Sequence, residues 1–383
     1  MGNDERARTH RKRGESVERQ HGSALLAAEG HLRKYLLAYT IVIILIAIPV
    51  GYMLRGFNAS HTSLFYYLLL FFAIMIIYPS MMQLRTEGEH LMRAFKSWKV
   101  IVAALAYIFV VAPVMAFFLG PYLGSGIGTG FFITNIVPAS SSALGYVLIV
   151  GGSIEMATVI TIASLSAAVL LMPIFLGIYS MTGTAIPLVP VLESIFYVLV
   201  VPLVLGQITR KVIYKKKGEA FINKGIRPYL TLITMIAMFF MIFLMVENEA
   251  NEIVMHPVTV GLLIGFQLVI MLAVIVLATL IDMRMKFSYE QQQAVTIISM
   301  AKNLNISAAI AIVTAIPGAL VPPALLRIVQ PVVSVAYIKL EGKIRRLFPV
   351  EGTKAEIKKE KRIEKMEKKK EGTIGELGEG EMD

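Results

Sequence analysis

From residue 35 to residue 340 the chain alternates long apolar runs with short polar connections, and both ends are polar. A bilayer core of about 30 Å needs about 20 apolar residues in one helix. Ten stretches meet that requirement: 35–54, 62–83, 98–119, 127–150, 154–180, 187–209, 227–247, 256–281, 288–315 and 318–339. The pattern predicts an all-α membrane protein with ten transmembrane helices spanning 35–340. A polar tail (1–34) precedes them and a charged tail (341–383) follows.

The charges test this count independently. With the amino terminus inside, the inner connections carry Arg85, Arg93, Lys96 and Lys99, then Arg210, Lys211, Lys215, Lys216, Lys217 and Lys224, then Arg284 and Lys286. The outer connections carry Arg55 alone, and the fourth is acidic, with Glu247, Glu249 and Glu252. Lys and Arg gather on the cytoplasmic side of membrane proteins, so the alternation predicts a multi-pass protein of the cell membrane with both termini cytoplasmic. The first 30 residues are basic but lack an apolar stretch with a cleavage site, so no signal peptide is expected.

Ten helices divide into two fives, and an odd number per half requires the second half to lie inverted. Repeat one would cover 35–180 and repeat two 187–340. The fourth helix of each half is interrupted near mid-membrane. In the first, Pro138 is followed by Ala139-Ser140-Ser141-Ser142; in the second, Lys302-Asn303-Leu304-Asn305 is followed by Ile306-Ser307. Pro138 lies about 11 residues from one end of its helix and Lys302 about 14 from the other, both close to the bilayer centre at 1.5 Å per residue. Paired broken helices in inverted repeats point to a transporter's binding site.

A break leaves backbone N–H and C=O groups without intrahelical partners, tolerated in lipid only where protein or a water-filled cavity satisfies them. Two half-helix amino-terminal ends meeting at mid-membrane, with Ser140, Ser141 and Ser142 as caps and Lys302 beside them, would suit an anion. A charge at the centre of a membrane helix costs about 3 kcal/mol on insertion scales, which marks Lys302 as functional. Asn303 and Asn305 join it as expected substrate-binding residues, with Pro138. Glu193 and Arg327 sit at similar depths, about six and nine residues from the outer ends of helices six and ten. They are expected to form a structural ion pair.

Composition removes other classes. Only 16% of residues are charged and 56% are apolar, with mean hydropathy +0.69, which excludes a soluble enzyme. The net charge of +11 sits beside apolar segments, so membrane topology accounts for it and no nucleic-acid partner is expected. There is no cysteine, and the six histidines (10, 21, 31, 61, 90, 256) lie in tails or connections without metal-ligand spacing. No metal or cofactor is expected. The run Gly124-x-Gly126-x-Gly128-x-Gly130 lacks the strand and the Gly-Lys-Ser/Thr of a phosphate loop, and reads as small-residue packing or the start of a helix. The alternating Glu and Lys from Lys354 to Lys370 read as a solvated or partly disordered helix; membrane lipids are the other expected contact, although 11 acidic residues from 341 to 383 nearly cancel the basic charge. No Gly-x-Ser-x-Gly, His-Glu-x-x-His or paired intramembrane carboxylates suggest an enzyme.

Several stretches resemble the superfamily of bile acid:sodium symporters and arsenical-resistance (arsenite efflux) permeases. Ile77-Tyr78-Pro79-Ser80-Met81-Met82 looks like the Tyr-Pro-Met-Met signature of the permeases. Pro138 through Thr161, with its Gly151-Gly152 turn, follows the family's fourth helix. Ala301-Lys302-Asn303 with Ala308-Ala309-Ile310-Ala311 resembles its ninth, and Pro317-Gly318 and Gln330-Pro331 also fit. The likeness spans about residues 35–340. It implies five plus five helices with breaks in helices four and nine, and a core of four helices rocking against a panel.

The departures carry information too. Where sodium-coupled relatives hold a Ser-Asn pair this chain aligns Ala143 and Leu144, and where they hold a sodium-bridging Glu it aligns Ile298; Thr161 remains. Lys302 falls where a Gln would bind the second sodium, so its ammonium could stand in for that ion, and a buried amine can also exchange a proton as the coupling residue. Sodium dependence is expected to be weak or absent. The resulting expectation is a secondary active transporter of a small organic anion or polar solute. The alternatives are an arsenite efflux permease, whose helix-four cysteine is missing here, and a non-transporting membrane sensor. Substrate, direction and oligomeric state are open at this point.

Overall fold

The computed structural model describes residues 27–84, 94–182 and 186–348. Arg85, Arg93 and the Lys354–Lys370 run, like most of the amino-terminal tail, lie outside the described residues. Among the described residues the fold is helical, and its one β-pairing is an isolated bridge.

Among the described residues, eight helices are long and apolar enough to cross a membrane. They are α1 (Leu36–Ser60), α2 (Thr62–Gln83), α3 (Trp98–Leu123), α6 (Ile154–Ser180), α7 (Val189–Asn223), α8 (Arg227–Asn248), α10 (Pro257–Arg284) and α13 (Val321–Ile338). The other two expected crossings are broken. The first consists of α4 (Ser125–Ile136), a short 3-10 turn (Ser141–Ala143) and α5 (Leu144–Ile149). The second consists of α11 (Tyr289–Met300) and α12 (Leu304–Thr314). Two short helices are α9 (Ala250–Met255) and α14 (Glu341–Arg345).

Proline shapes the helices from within. Among the described residues, three π-turns interrupt the α-pattern, at Tyr107–Val111, Phe196–Val200 and Phe221–Ile226. In each, the next residue bonds five positions back (Ala112 to Tyr107, Val201 to Phe196, Arg227 to Ile222), and a proline follows it: Pro113, Pro202 or Pro228. Proline has no N–H to continue either ladder, so each π-turn strands a carbonyl.

The helices pack as two groups. One unites α1, α2, α7 and α8; the other unites α3–α6 and α10–α13. The second group holds six of the ten expected crossings rather than the four expected for a core, because α6 packs against α11 and α13 against both α10 and α4. The half-helix α12 bridges the groups, touching α2 and α7. The motif at Ile77–Met82 is a docking surface for α7: Gln207 donates to the carbonyls of Met81 (2.7 Å) and Leu84 (3.3 Å), and Arg210 to that of Met82 (3.4 Å). These satisfy carbonyls at the end of α2, where a cation is also favoured by the helix dipole. Gly206 lets the backbones approach there, since a Cβ would lie 2.9 Å from that of Met81.

The glycine run is packing, as its pattern suggested. Gly124 starts α4 in a left-handed conformation (φ 78°). Gly126 and Gly130, one turn apart, receive the carbonyls of Pro317 and Ala319, and Gly128 faces that of Gly120. Gly130→Val would drive side-chain atoms into the Ala319 carbonyl and is expected to cost at least about 1–3 kcal/mol. A lower melting temperature and a broadened size-exclusion peak would register it.

The same Pro317–Ala319 turn is pinned by Glu249, between α8 and α9. Its Oε2 accepts from the Gly318 N–H at 2.9 Å. Burial pushes this carboxyl up to about 7 from 4.5; Glu252 adds to the rise, and N–H bonds from Gly318 and Leu320 oppose it. The folded state therefore holds the proton more tightly than the unfolded chain. Stability contributed by the protonated form is fully present below 4.5 and is lost as pH rises through about 7. Glu249→Gln should flatten that part of the melting profile; an unchanged slope would exclude Glu249 as its source.

Candidate functional site

The two breaks meet. Ala139 and Lys302 form an antiparallel bridge: Ser140 N–H donates to the Ala301 carbonyl, and Asn303 N–H to that of Pro138, both at 2.9 Å. Unwound backbone in a membrane must find a partner for every polar group, and most of these partners can be identified. Ala139 N–H donates to Ser164 Oγ on α6 (3.2 Å). The Gln330 side chain, from α13, clasps Lys302 at both backbone groups: Oε1 accepts from its N–H, and Nε2 donates to its carbonyl at 3.2 Å. Thus Ala139 edges one side of the Lys302 segment and an amide imitating a strand edges the other.

The Lys302 side chain is buried and its Nζ donates to the Ile108 carbonyl at 2.7 Å. That carbonyl is the one freed by the first π-turn: its α-helical donor, Ala112 N–H, goes to Tyr107, and its π-helical donor would be Pro113, which has none. Phe109 lies 5.9 Å from the ammonium, ring centre to Nζ, adding a cation–π contact. No carboxylate pairs with Lys302 among the described residues. Just before the break, Ser299 at the end of α11 also reaches α3, its Oγ donating to the Ala104 carbonyl at 3.4 Å.

The half-helices begin differently. Asn303 caps α12, its Oδ1 accepting from Ile306 N–H at 3.3 Å. Ser140 precedes the 3-10 turn without a side-chain cap, and its Oγ lies 2.7 Å from that of Ser142. Ser140 and Ser141 are half-buried and Ser142 is exposed. Behind the crossing, Thr134 and Ser307 join α4 to α12 (2.7 Å), and Asn135 donates to Gln267 of α10 (3.1 Å) while its own Oδ1 lacks a partner.

Pro138, Ser140, Lys302 and Asn303 therefore come together, through backbone as much as side chain. Thr161 does not join them: its hydroxyl turns back to the Ala157 carbonyl (2.8 Å), and Ser164, one turn on, reaches the crossing instead. The expected Glu193–Arg327 ion pair is absent. Glu193 is exposed on α7, whereas Arg327 is buried and its Nη2 donates to Asn305 Oδ1 at 2.8 Å. Similar depth gave the two residues similar heights, but they lie on faces of different helices that do not meet. Ser164, Gln330 and the Ile108 carbonyl were missed by sequence reasoning; Pro113 is the signal that could have indicated the last.

Residues 68–256 match the family model described as Sodium Bile acid symporter family. The suspected family is the one found. The match runs from α2 to the end of α9 and takes in the first break, at Pro138–Ser140, and Thr161; Lys302 lies beyond it. No curated protein matches the chain. The family match and the multi-pass helical architecture together support a transporter related to this symporter family.

Proposed function

We propose that this chain is a secondary active carrier of a small organic anion or polar solute, working by alternating access without a sodium requirement. The observation that carries the reading is the bridge of Ala139 to Lys302 with an ammonium fixed beside it. Oxygen-rich sites bind sodium; here the protonated lysine supplies the positive charge, and the side chains of Ala143, Leu144 and Ile298 supply no oxygen ligand. The eight long helices and two broken ones make ten crossings, read as inverted repeats 35–180 and 187–340. The four-helix group α1, α2, α7 and α8 supports this, since it takes the first two helices of each half. The charge alternation supports a cell-membrane protein with both ends in the cytoplasm.

Alternating access then means relative movement of the two helix groups, with α12 at their boundary. Lys302 serves as fixed charge and, by releasing and regaining its proton, as the coupling group. Ser140, Ser141 and Ser142 offer hydroxyls to the solute. An arsenite reading has less support, because the Ile77–Met82 motif is accounted for by its docking of α7.

Uptake of potassium benzoate or potassium cholate into proteoliposomes tests the sodium question. Equal initial rates with sodium and with potassium outside are expected. Many-fold stimulation by sodium would overturn the proposal.

A further inference from the structure

Arg327 is a buried cation without an anionic partner. One guanidinium nitrogen donates to Asn305, while the buried Nε has no partner among the described residues, and no carboxylate pairs with the group. A guanidinium stays charged, and its fork of N–H donors matches a carboxylate at two points. A buried charge left unpaired is strongly unfavourable, so an external anion is the missing counterpart.

Its position suits that role. Asn305 lies in the first turn of α12, a helix of 11 residues, where free N–H groups and the helix dipole also favour negative charge. Asn305 is half-buried, and α12 packs against α2 and α7 at the boundary between the helix groups. Lys302 is otherwise engaged, because its ammonium turns to the Ile108 carbonyl on α3.

We infer that Arg327, with Asn305 and the first turn of α12, forms the site that holds the carboxylate group of the transported solute. This rests on the carrier reading above, though the site itself can be tested by binding alone. The full chain in detergent is melted with potassium benzoate or cholate and, in parallel, with benzamide or cholamide. The acids should raise the melting temperature and the uncharged amides should not, by mass action on the native state.

Arg327→Gln should weaken acid binding about ten- to a hundredfold and remove the preference over the amides. Arg327→Lys, which keeps the charge and loses the fork, should restore part of it. Asn305→Asp is the safeguard against misfolding: it places a carboxylate against the guanidinium, so the protein should fold yet lose the acid-induced shift. An acid preference surviving in Arg327→Gln or Asn305→Asp overturns the site, as does a wild type that none of the acids stabilises. Flux separates the two claims. Acid binding without transport in proteoliposomes rejects the carrier and keeps the site; carboxylate-selective transport surviving Asn305→Asp rejects the site and keeps the carrier.

Discussion

Replacing Gln330 by Leu is expected to destabilise the protein by about 2–6 kcal/mol, because two buried backbone groups lose their partner together, each at about 1–3 kcal/mol. The N–H and carbonyl of Lys302 are those groups, and the clasp is the counterpart of the ladder that Pro138 and Ser140 supply on the other edge. Water cannot replace it at low cost, since Lys302 and Gln330 are both buried. Gln330→Glu keeps the acceptor and removes the donor, so its direct backbone loss should be about half, before any cost of burying its charge. Melting of the three proteins in detergent checks the order wild type, then Gln330→Glu, then Gln330→Leu. A leucine variant as stable as wild type would show that the unwound segment does not depend on Gln330.

Lys302→Met is expected to abolish flux while leaving the melting temperature near that of the wild type. Two effects of similar size oppose each other. Removing an ammonium from the membrane centre relieves about 3 kcal/mol of insertion cost, and leaving the Ile108 carbonyl without its donor costs about 1–3 kcal/mol. Methionine fills similar space, so the crossing should survive. Function has no such offset, because the positive charge itself is lost. Counterflow in proteoliposomes, read beside the melting curve, distinguishes this from simple unfolding. A variant that folds and still transports at the wild-type rate would remove Lys302 from the mechanism.

The parts of the molecule that were legible in the sequence are those governed by one dimension. Apolar runs of membrane length located the eight long helices, and Pro138 and the Lys302–Asn305 run located both breaks to within a residue or two. The glycine run was legible because small residues a turn apart have few uses other than close approach. What was not legible depends on rotation about helix axes. Arg327 was expected against Glu193 from depth alone, yet faces Asn305. Thr161 was carried over from the family pattern, whereas Ser164, three residues on, points at the crossing. On α13, Arg327, Gln330 and Tyr337 form a stripe meeting Asn305, Lys302 and Gln292 in turn, as two antiparallel helices require. Each contact couples residues 22 to 45 positions apart, a separation to which no local periodicity is sensitive.

The cysteine-free chain permits a direct test of the crossing. Cysteines placed at Ala139 and Lys302 would face one another across an antiparallel pair, with α-carbons about 4.5 Å apart and within disulfide reach. A control pair at Ala139 and Ser299 should lie about a helical turn out of register. Oxidation of the full-length protein in membranes, followed by mass spectrometry of the linked peptides, is predicted to join 139 to 302 nearly completely and 139 to 299 little. Equal linkage of both pairs, or none of the first, would contradict the meeting of the two broken helices.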